Sequence, residues 1–287
     1  MKQVGSEIVL GQQLQNARKK AGLTQQELCH KAGLSYSTLA KIERGAIKAP
    51  SIFTVQSIAG ALGATLGELM GDIGPNVPET VKKRSKSGVR FVFFDINGCL
   101  VHFFHGAFAK LAHETGASAD IIESTFWHYN DAVCRGELSV EEFDKLFAQR
   151  IGSKAIDWQH YYLEAAEPIK EMSELLKWAS ENYHVGLLSN IMPGFIDAMM
   201  AREMLPNIPY STIIDSSQVG TIKPEREIFQ IATQRTGVAP EEILLVDDSR
   251  ANLMAAEKMG WHVLWFNDYK PAESVVQIRS TLEPEHS

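Results

Sequence analysis

The sequence predicts an α + α/β protein, with an all-α N-terminal domain followed by an α/β domain on a parallel sheet. Three observations carry this expectation. Over residues 8–71 apolar residues recur at helical spacing, punctuated by glycines and capping boxes. From Val89 onward, short runs of apolar residues alternate with helical stretches, as in strands covered by helices on both faces. Residues 72–88 carry two prolines, two glycines and a basic cluster with little periodicity, which marks a linker.

The N-terminal helices follow in order. Leu10, Leu14 and Ala17 share one helical face. Thr24-Gln25-Gln26-Glu27 is a capping box, so a helix should start there and run to about Ala32, where Gly33 supplies a positive φ. Ser35 can cap a second helix, Tyr36 to Arg44, closed by Gly45. Two short helices joined by a tight glycine turn form a helix-turn-helix. Val55, Ile58, Ala59 and Leu62 give a further apolar stripe, and a second capping box, Thr65-Leu66-Gly67-Glu68, opens a last short helix. The expected boundaries are a domain at 1–71, a linker at 72–88 and a second domain at 89–287. Lys82, Lys83, Arg84 and Lys86 of the linker either touch a DNA backbone or are simply solvated.

In the second domain the expected strands are Val89–Phe94, His184–Leu188, Thr212–Ile214, Ile243–Val246 and His262–Phe266. Right-handed crossovers place their C-terminal tips on one edge of the sheet, where ligands bind in open α/β folds. The roughly eighty residues of helical pattern between the first two strands exceed a simple crossover, which predicts an inserted helical cap at about 101–182 over a core of 89–100 and 183–270. The final residues, about 273–287, form a helix or a frayed tail.

Chemistry gathers at the strand tips. Phe91-Val92-Phe93-Phe94 runs straight into Asp95, Leu187-Leu188 into Ser189-Asn190, Thr221-Ile222 into Lys223, and Ile243 to Val246 into Asp247-Asp248. A nucleophilic carboxylate, a hydroxyl, a lysine and a carboxylate pair suit phosphoryl transfer. The attacking carboxylate and the anionic phosphate repel each other, and a hard divalent cation and a fixed lysine relieve that repulsion. Oxygen ligands from the aspartates favour Mg²⁺ over zinc.

Composition narrows the setting. The chain has 287 residues and a net charge of −7. Residues 1–89 carry 12 Lys+Arg against 6 Asp+Glu, whereas the remainder carries 16 against 29. A basic head on an acidic body suggests that only the head meets a polyanion. No apolar run approaches the 18 to 20 or so residues needed to cross a bilayer, and no signal-peptide core is present near the N-terminus. Cys29, Cys99 and Cys134 are odd in number and far apart, which excludes a disulfide framework. The expected setting is cytoplasmic, without membrane contact.

Two families are resembled. Leu23-Thr24-Gln25-Gln26-Glu27-Leu28, Ala32-Gly33-Leu34-Ser35 and Ile42-Glu43-Arg44-Gly45 resemble the lambda-repressor/Cro-like (XRE-type) helix-turn-helix family over residues 8–71. The resemblance implies that helix 36–44 enters the major groove of a double-stranded DNA operator, with Ser35, Tyr36, Ser37, Thr38 and Lys41 toward it and Gln25 near phosphate. A single unit binds weakly, so a homodimer is expected.

Residues 89–270 resemble the haloacid-dehalogenase-like (HAD) superfamily, with a Rossmann-like core and a helical cap after the first strand. The resemblance implies that Asp95 is the phosphoryl-accepting nucleophile. Ser189 and Asn190 would hold the phosphate, and Lys223 would neutralise it. Asp95, Asp247, Asp248 and the backbone carbonyl of Asn97 would hold Mg²⁺.

Asn97 is a departure. Phosphatases of the superfamily carry a second aspartate there, which protonates the leaving oxygen and then activates water. An amide transfers no proton at neutral pH, and losing a positioned acid/base costs about 10²–10⁴ in rate. Cys99 also replaces a common threonine. The reading is a transcription regulator whose HAD-like domain binds a small phosphorylated ligand and Mg²⁺ with impaired turnover. A variant of it has Asp95 as a lasting phospho-acceptor. The alternative is an active HAD-like phosphohydrolase acting on a small phosphomonoester, with a cap group such as His105, His113, Glu114 or His128 replacing the missing acid.

Overall fold

The computed structural model describes residues 14–15, 17–44, 47, 52–62 and 82–283. Leu10, Gly45, most of the expected linker and the second capping box, Thr65–Glu68, lie outside the described residues. The chain divides into two compact units, 1–76 and 77–287.

In the first unit, residues 14–15 and 17–20 are helical, followed by α1 (Gln25–Ala32), α2 (Tyr36–Glu43) and α3 (Ile52–Leu62). The capping box forms: Glu27 N donates to Thr24 Oγ1 (3.2 Å), and Thr24 N donates to Glu27 Oε2 (2.7 Å). Gly33, at φ +64°, ends α1 in the left-handed conformation. Ser35 Oγ accepts from Thr38 N (3.1 Å) and starts α2. Leu14, Leu28, Leu39, Ile42 and Ile58 are buried together. Arg18 crosses this core to Glu43, with Nε 2.7 Å from Oε1 and Nη2 2.9 Å from Oε2.

The second unit is built on five parallel strands: β1 (Phe91–Phe94), β2 (His184–Ser189), β3 (Thr212–Asp215), β4 (Ile243–Asp247) and β5 (His262–Trp265). Their order is β3-β2-β1-β4-β5. Alternate β1 residues enter different cores. Val92 and Phe94 join one cluster, and Phe91 and Phe93 join the other. Burial on both faces is why the strand reads as an unbroken apolar run. At Gly186 a Cβ would sit 2.7 Å from Phe93 Cε1 and 2.8 Å from Thr212 O, so only glycine leaves room for the aromatic packing.

Four helices follow β1: α4 (His105–Thr115), α5 (Ala119–Cys134), α6 (Val140–Ile151) and α7 (Trp158–Ala165). They close around an aromatic core in which Phe126 meets Phe108 at 5.2 Å and Trp158 at 4.9 Å between ring centroids. The expected cap continued to residue 182, but α8 (Lys170–Asn182) packs on β2 instead. Its stripe of Met172, Leu175, Leu176 and Ala179 belongs to the sheet's core.

Residues 82–88, expected as linker, run along this same unit. Lys82 Nζ donates to Ser180 O (2.5 Å) and Lys83 N to Asn182 O (2.7 Å), capping the carbonyl end of α8. Arg84 pairs with Glu242.

The remaining helices are α9 (Phe195–Ala201), α10 (Ser216–Val219), α11 (Arg226–Thr236), α12 (Arg250–Lys258) and α13 (Pro271–Leu282). The last buries Ile278 and Leu282, so the expected helix-or-tail segment is helical as far as Leu282, and residues 284–287 lie outside the described residues.

Candidate functional site

The strand order sets β1 between β2 and β4, so their C-terminal tips are neighbours. Asp95 leaves the end of β1, with its N–H bonded to Val246 O (3.0 Å) and its Oδ1 accepting from Ile96 N (2.7 Å). Lys223 enters from the side. Its Nζ lies 3.0 Å from Asp95 Oδ1 and 2.6 Å from Asp247 Oδ2. All three side chains are buried. Burial alone would lower the Lys223 ammonium, but Asp247 and Asp95 outweigh it and hold the pKa well above the ordinary lysine range. Burial raises the Asp95 carboxyl, Lys223 opposes that shift, and Asp247 adds to it.

The aspartates divide their work. Asp247 is consumed internally, since its oxygens accept from Lys223 Nζ, from Asn252 Nδ2 (3.0 and 3.2 Å) and from Ser249 N (2.8 Å). Asp248 has no ion-pair partner among the described residues. Its carboxyl is pushed up to about 7 by burial, then by Asp95 and Asp247. Gly98, at φ +76°, is required beside it, because a Cβ there would collide with Asp248 Oδ2. One oxygen from each of Asp95, Asp247 and Asp248 falls within a 4.8 Å cluster. An all-oxygen set with an unpaired carboxylate fits a hard divalent cation.

Ser189 Oγ, at the tip of β2, is buried beside the Asp95 carboxylate without a well-aligned hydrogen bond. A buried hydroxyl is rarely left without a well-formed bond, and this one has Asp95 as its neighbour. Asn190 does something the sequence did not suggest. Its Oδ1 accepts from Lys223 N (2.6 Å), and its Nδ2 donates to Lys223 O (2.7 Å). The side-chain amide thus clamps the backbone that carries the lysine.

Asn97 faces the cap. The buried Tyr162 hydroxyl, on α7, donates to Asn97 Oδ1 at 2.5 Å. Both residues line a cavity of about 350 Å³ with Asp95, Lys223 and Asp248. Its cap side holds aromatic rings together with Asn130 and Asp131. His105, His113, Glu114 and His128 do not line it. Glu114 instead accepts from the Tyr161 hydroxyl at the surface. Tyr162, Asp131 and Asn252 are the residues that sequence reasoning missed. An Asn five residues after Asp247, on the first turn of a helix, was the one signal available for Asn252.

In the first unit, Ser35, Tyr36, Ser37 and Thr38 gather at the N-terminus of α2, with Lys41 one turn on. Tyr36 is 55% exposed, and Ser35, Ser37 and Lys41 are exposed too. Ser35 Oγ lies 3.0 Å from Ser37 Oγ and 2.7 Å from Thr38 Oγ1. Gln25 is half-buried, and its Nε2 donates to Glu43 Oε2 (2.7 Å), which ties it to the Arg18–Glu43 pair.

The family profile described as haloacid dehalogenase-like hydrolase matches residues 89–260. The chain belongs to that family. A helix-turn-helix profile matches residues 14–69, so a DNA-binding module precedes the HAD-like unit. The immunity repressor protein of Bacillus phage phi105 is 42% identical over 65 residues, covering 23% of this chain and 44% of the repressor.

A HAD-like family hydrolase from Porphyromonas gingivalis superposes with a TM-score of 0.54 at 25% identity, covering 66% of this chain and 98% of that one. A HAD family enzyme from Bacteroides thetaiotaomicron, a mutant crystallised with magnesium and inorganic phosphate, superposes with a TM-score of 0.54 at 21% identity. It covers 62% of this chain and 94% of that one and shares the fold. The chain spans 14% and 44% of the length of two curated relatives it matches. Among the described residues no helix is long and apolar enough to cross a membrane.

Proposed function

We propose that this HAD-like protein is a transcription regulator whose second unit binds a small phosphorylated ligand with Mg²⁺ and turns it over slowly or not at all. One observation carries the reading. The buried Ser189 hydroxyl, which lacks a well-aligned bond, and the fixed Lys223 would form a phosphate cradle beside Asp95, whereas the position two residues past Asp95 holds an amide bonded to a tyrosine. Asp95, Asp248 and the backbone carbonyl of Asn97 would hold the cation, and Asp247 would fix Lys223. Bound there, Mg²⁺ would neutralise charge on Asp95 and on the phosphate. Ser189 Oγ would donate to a phosphate oxygen and so gain a well-aligned partner. Lys223 would add a fixed positive charge.

The helix-turn-helix unit would read a double-stranded operator as a homodimer, with Ser35, Tyr36, Ser37, Thr38 and Lys41 toward the DNA. Ligand binding would then alter operator affinity. Fluorescence anisotropy on a selected operator, with Mg²⁺ and a panel of phosphometabolites, tests this coupling. At least one ligand should change the operator Kd several-fold. Silence across a broad panel, with brisk phosphate release from common monoesters, would overturn the reading. That outcome would favour an active phosphohydrolase.

A further inference from the structure

We infer that the ligand is a phosphomonoester whose far end carries a positive charge, an amine or quaternary ammonium, received by Asp131 and the aromatic rings of the cap. The inference rests on the phosphate-binding reading above and names the ligand class.

The cavity runs from Asp95, Lys223 and Asp248 to the cap, where Phe103, Phe104, Trp127 and Trp158 contribute rings. Trp127, Asn130 and Asp131 stand at i, i+3 and i+4 on α5 and share one helical face. Phe103 and Trp127 are nearly parallel, at 17° and 6.1 Å between centroids.

Charge decides among ligand classes. Among the described residues Lys223 is the one cationic side chain lining the cavity, and Asp95 and Asp247 already hold it. Asp131 has no ion-pair partner among the described residues. Its neighbour Arg135 instead points to Glu225, with Nε and Nη2 at 3.1 and 2.5 Å from Oε1. A second anionic group on the ligand would meet no cation at the cap end, where the Asp131 carboxylate and the ring faces repel it and Asn130 offers a neutral amide. A neutral tail would make no use of the Asp131 carboxylate, whose hydrogen bond from Asn130 Nδ2 is a long one (3.4 Å). A cation satisfies both features, because ring faces and a carboxylate each attract positive charge. A volume of about 350 Å³ accommodates a phosphate with a short aminoalkyl chain.

The test is calorimetric titration of the full chain in Mg²⁺ with inorganic phosphate, ethyl phosphate, phosphoethanolamine, phosphocholine, phosphoglycolate and phenyl phosphate. If phosphate is released, the same comparison is made as kcat/KM. Phosphoethanolamine or phosphocholine should bind about tenfold tighter than ethyl phosphate, and phosphoglycolate should bind more weakly. Asp131→Asn, at an exposed position, should erase the amine preference while leaving ethyl phosphate and the Tm unchanged. Equal affinity for the amine and ethyl esters would overturn the inference while leaving the phosphate reading intact. So would a preference for phenyl phosphate, or an amine preference that survives Asp131→Asn. Failure of inorganic phosphate and every ester to bind would overturn both.

Discussion

Asn97 occupies the position from which a carboxylate would serve the leaving group, and the Tyr162 hydroxyl fixes its Oδ1 at 2.5 Å. The geometry needs little change to accept an acid, because aspartate has the same branching and its oxygen would accept the same bond. Asn97→Asp should therefore raise phosphate release from p-nitrophenyl phosphate by about 10²–10⁴-fold, the usual worth of a positioned acid/base. The rise should vanish when Asp95→Asn is added. An unchanged rate in Asn97→Asp would mean that turnover is limited elsewhere. The same residue shows how a side chain can be readable by identity and unreadable by contact. Its type is plain beside Asp95, but its partner lies 65 residues away.

At the scale of elements, the cap holds a titrating joint. Asp144 on α6 accepts from Trp158 N (3.1 Å), at the start of α7. Burial pushes its carboxyl from the ordinary 3.8 up to about 6, against the Trp158 hydrogen bond that lowers it. Between about pH 4 and 6 the folded chain therefore binds more protons than the unfolded one. Stability falls as pH rises through that window and stays lower above it. Asp144→Asn keeps the acceptor and cannot ionise. Its Tm should match the wild type near pH 4 and exceed it at pH 7. Equal melting at both pH values would count against the shift.

Elements also differed in how far the sequence disclosed them. All five strands were legible, since both faces of β1 are buried and Phe91–Phe94 is continuously apolar. The caps at Thr24 and Ser35 were legible because each bond spans only three residues. The cap's end was not legible. The stripe on α8 has the same helical period whether it faces a bundle or a sheet, and only β2 settles which. Tyr162 and Trp158 sit four apart on α7, a spacing that any core-facing helix shows, and nothing in it marks them as lining the cavity. Asn190 was read as a ligand contact, and its clamp on Lys223 depends on a loop 33 residues away.

For the whole molecule, the charge asymmetry and the two compact units point to separate tasks. Tyr36→Ala and Lys41→Ala, both at exposed positions of α2, should each weaken operator binding about tenfold or more. Neither should alter the thermal shift produced by Mg²⁺ and phosphate in the second unit. Log affinity for the operator should also fall linearly with log salt. Loss of the thermal shift in either variant would contradict the division of tasks.

The hydrogen bond between α7 and the loop after β1 has a further consequence. A carboxylate beneath the Tyr162 hydroxyl would gain and lose charge through each catalytic cycle, and the grip of lid on floor would vary with it. The amide of Asn97 stays neutral at every stage, so under the proposed function the lid would stay fastened over an intact ester. The lifetime of a signal would then be set by how slowly the guest departs, and not by how quickly it is destroyed.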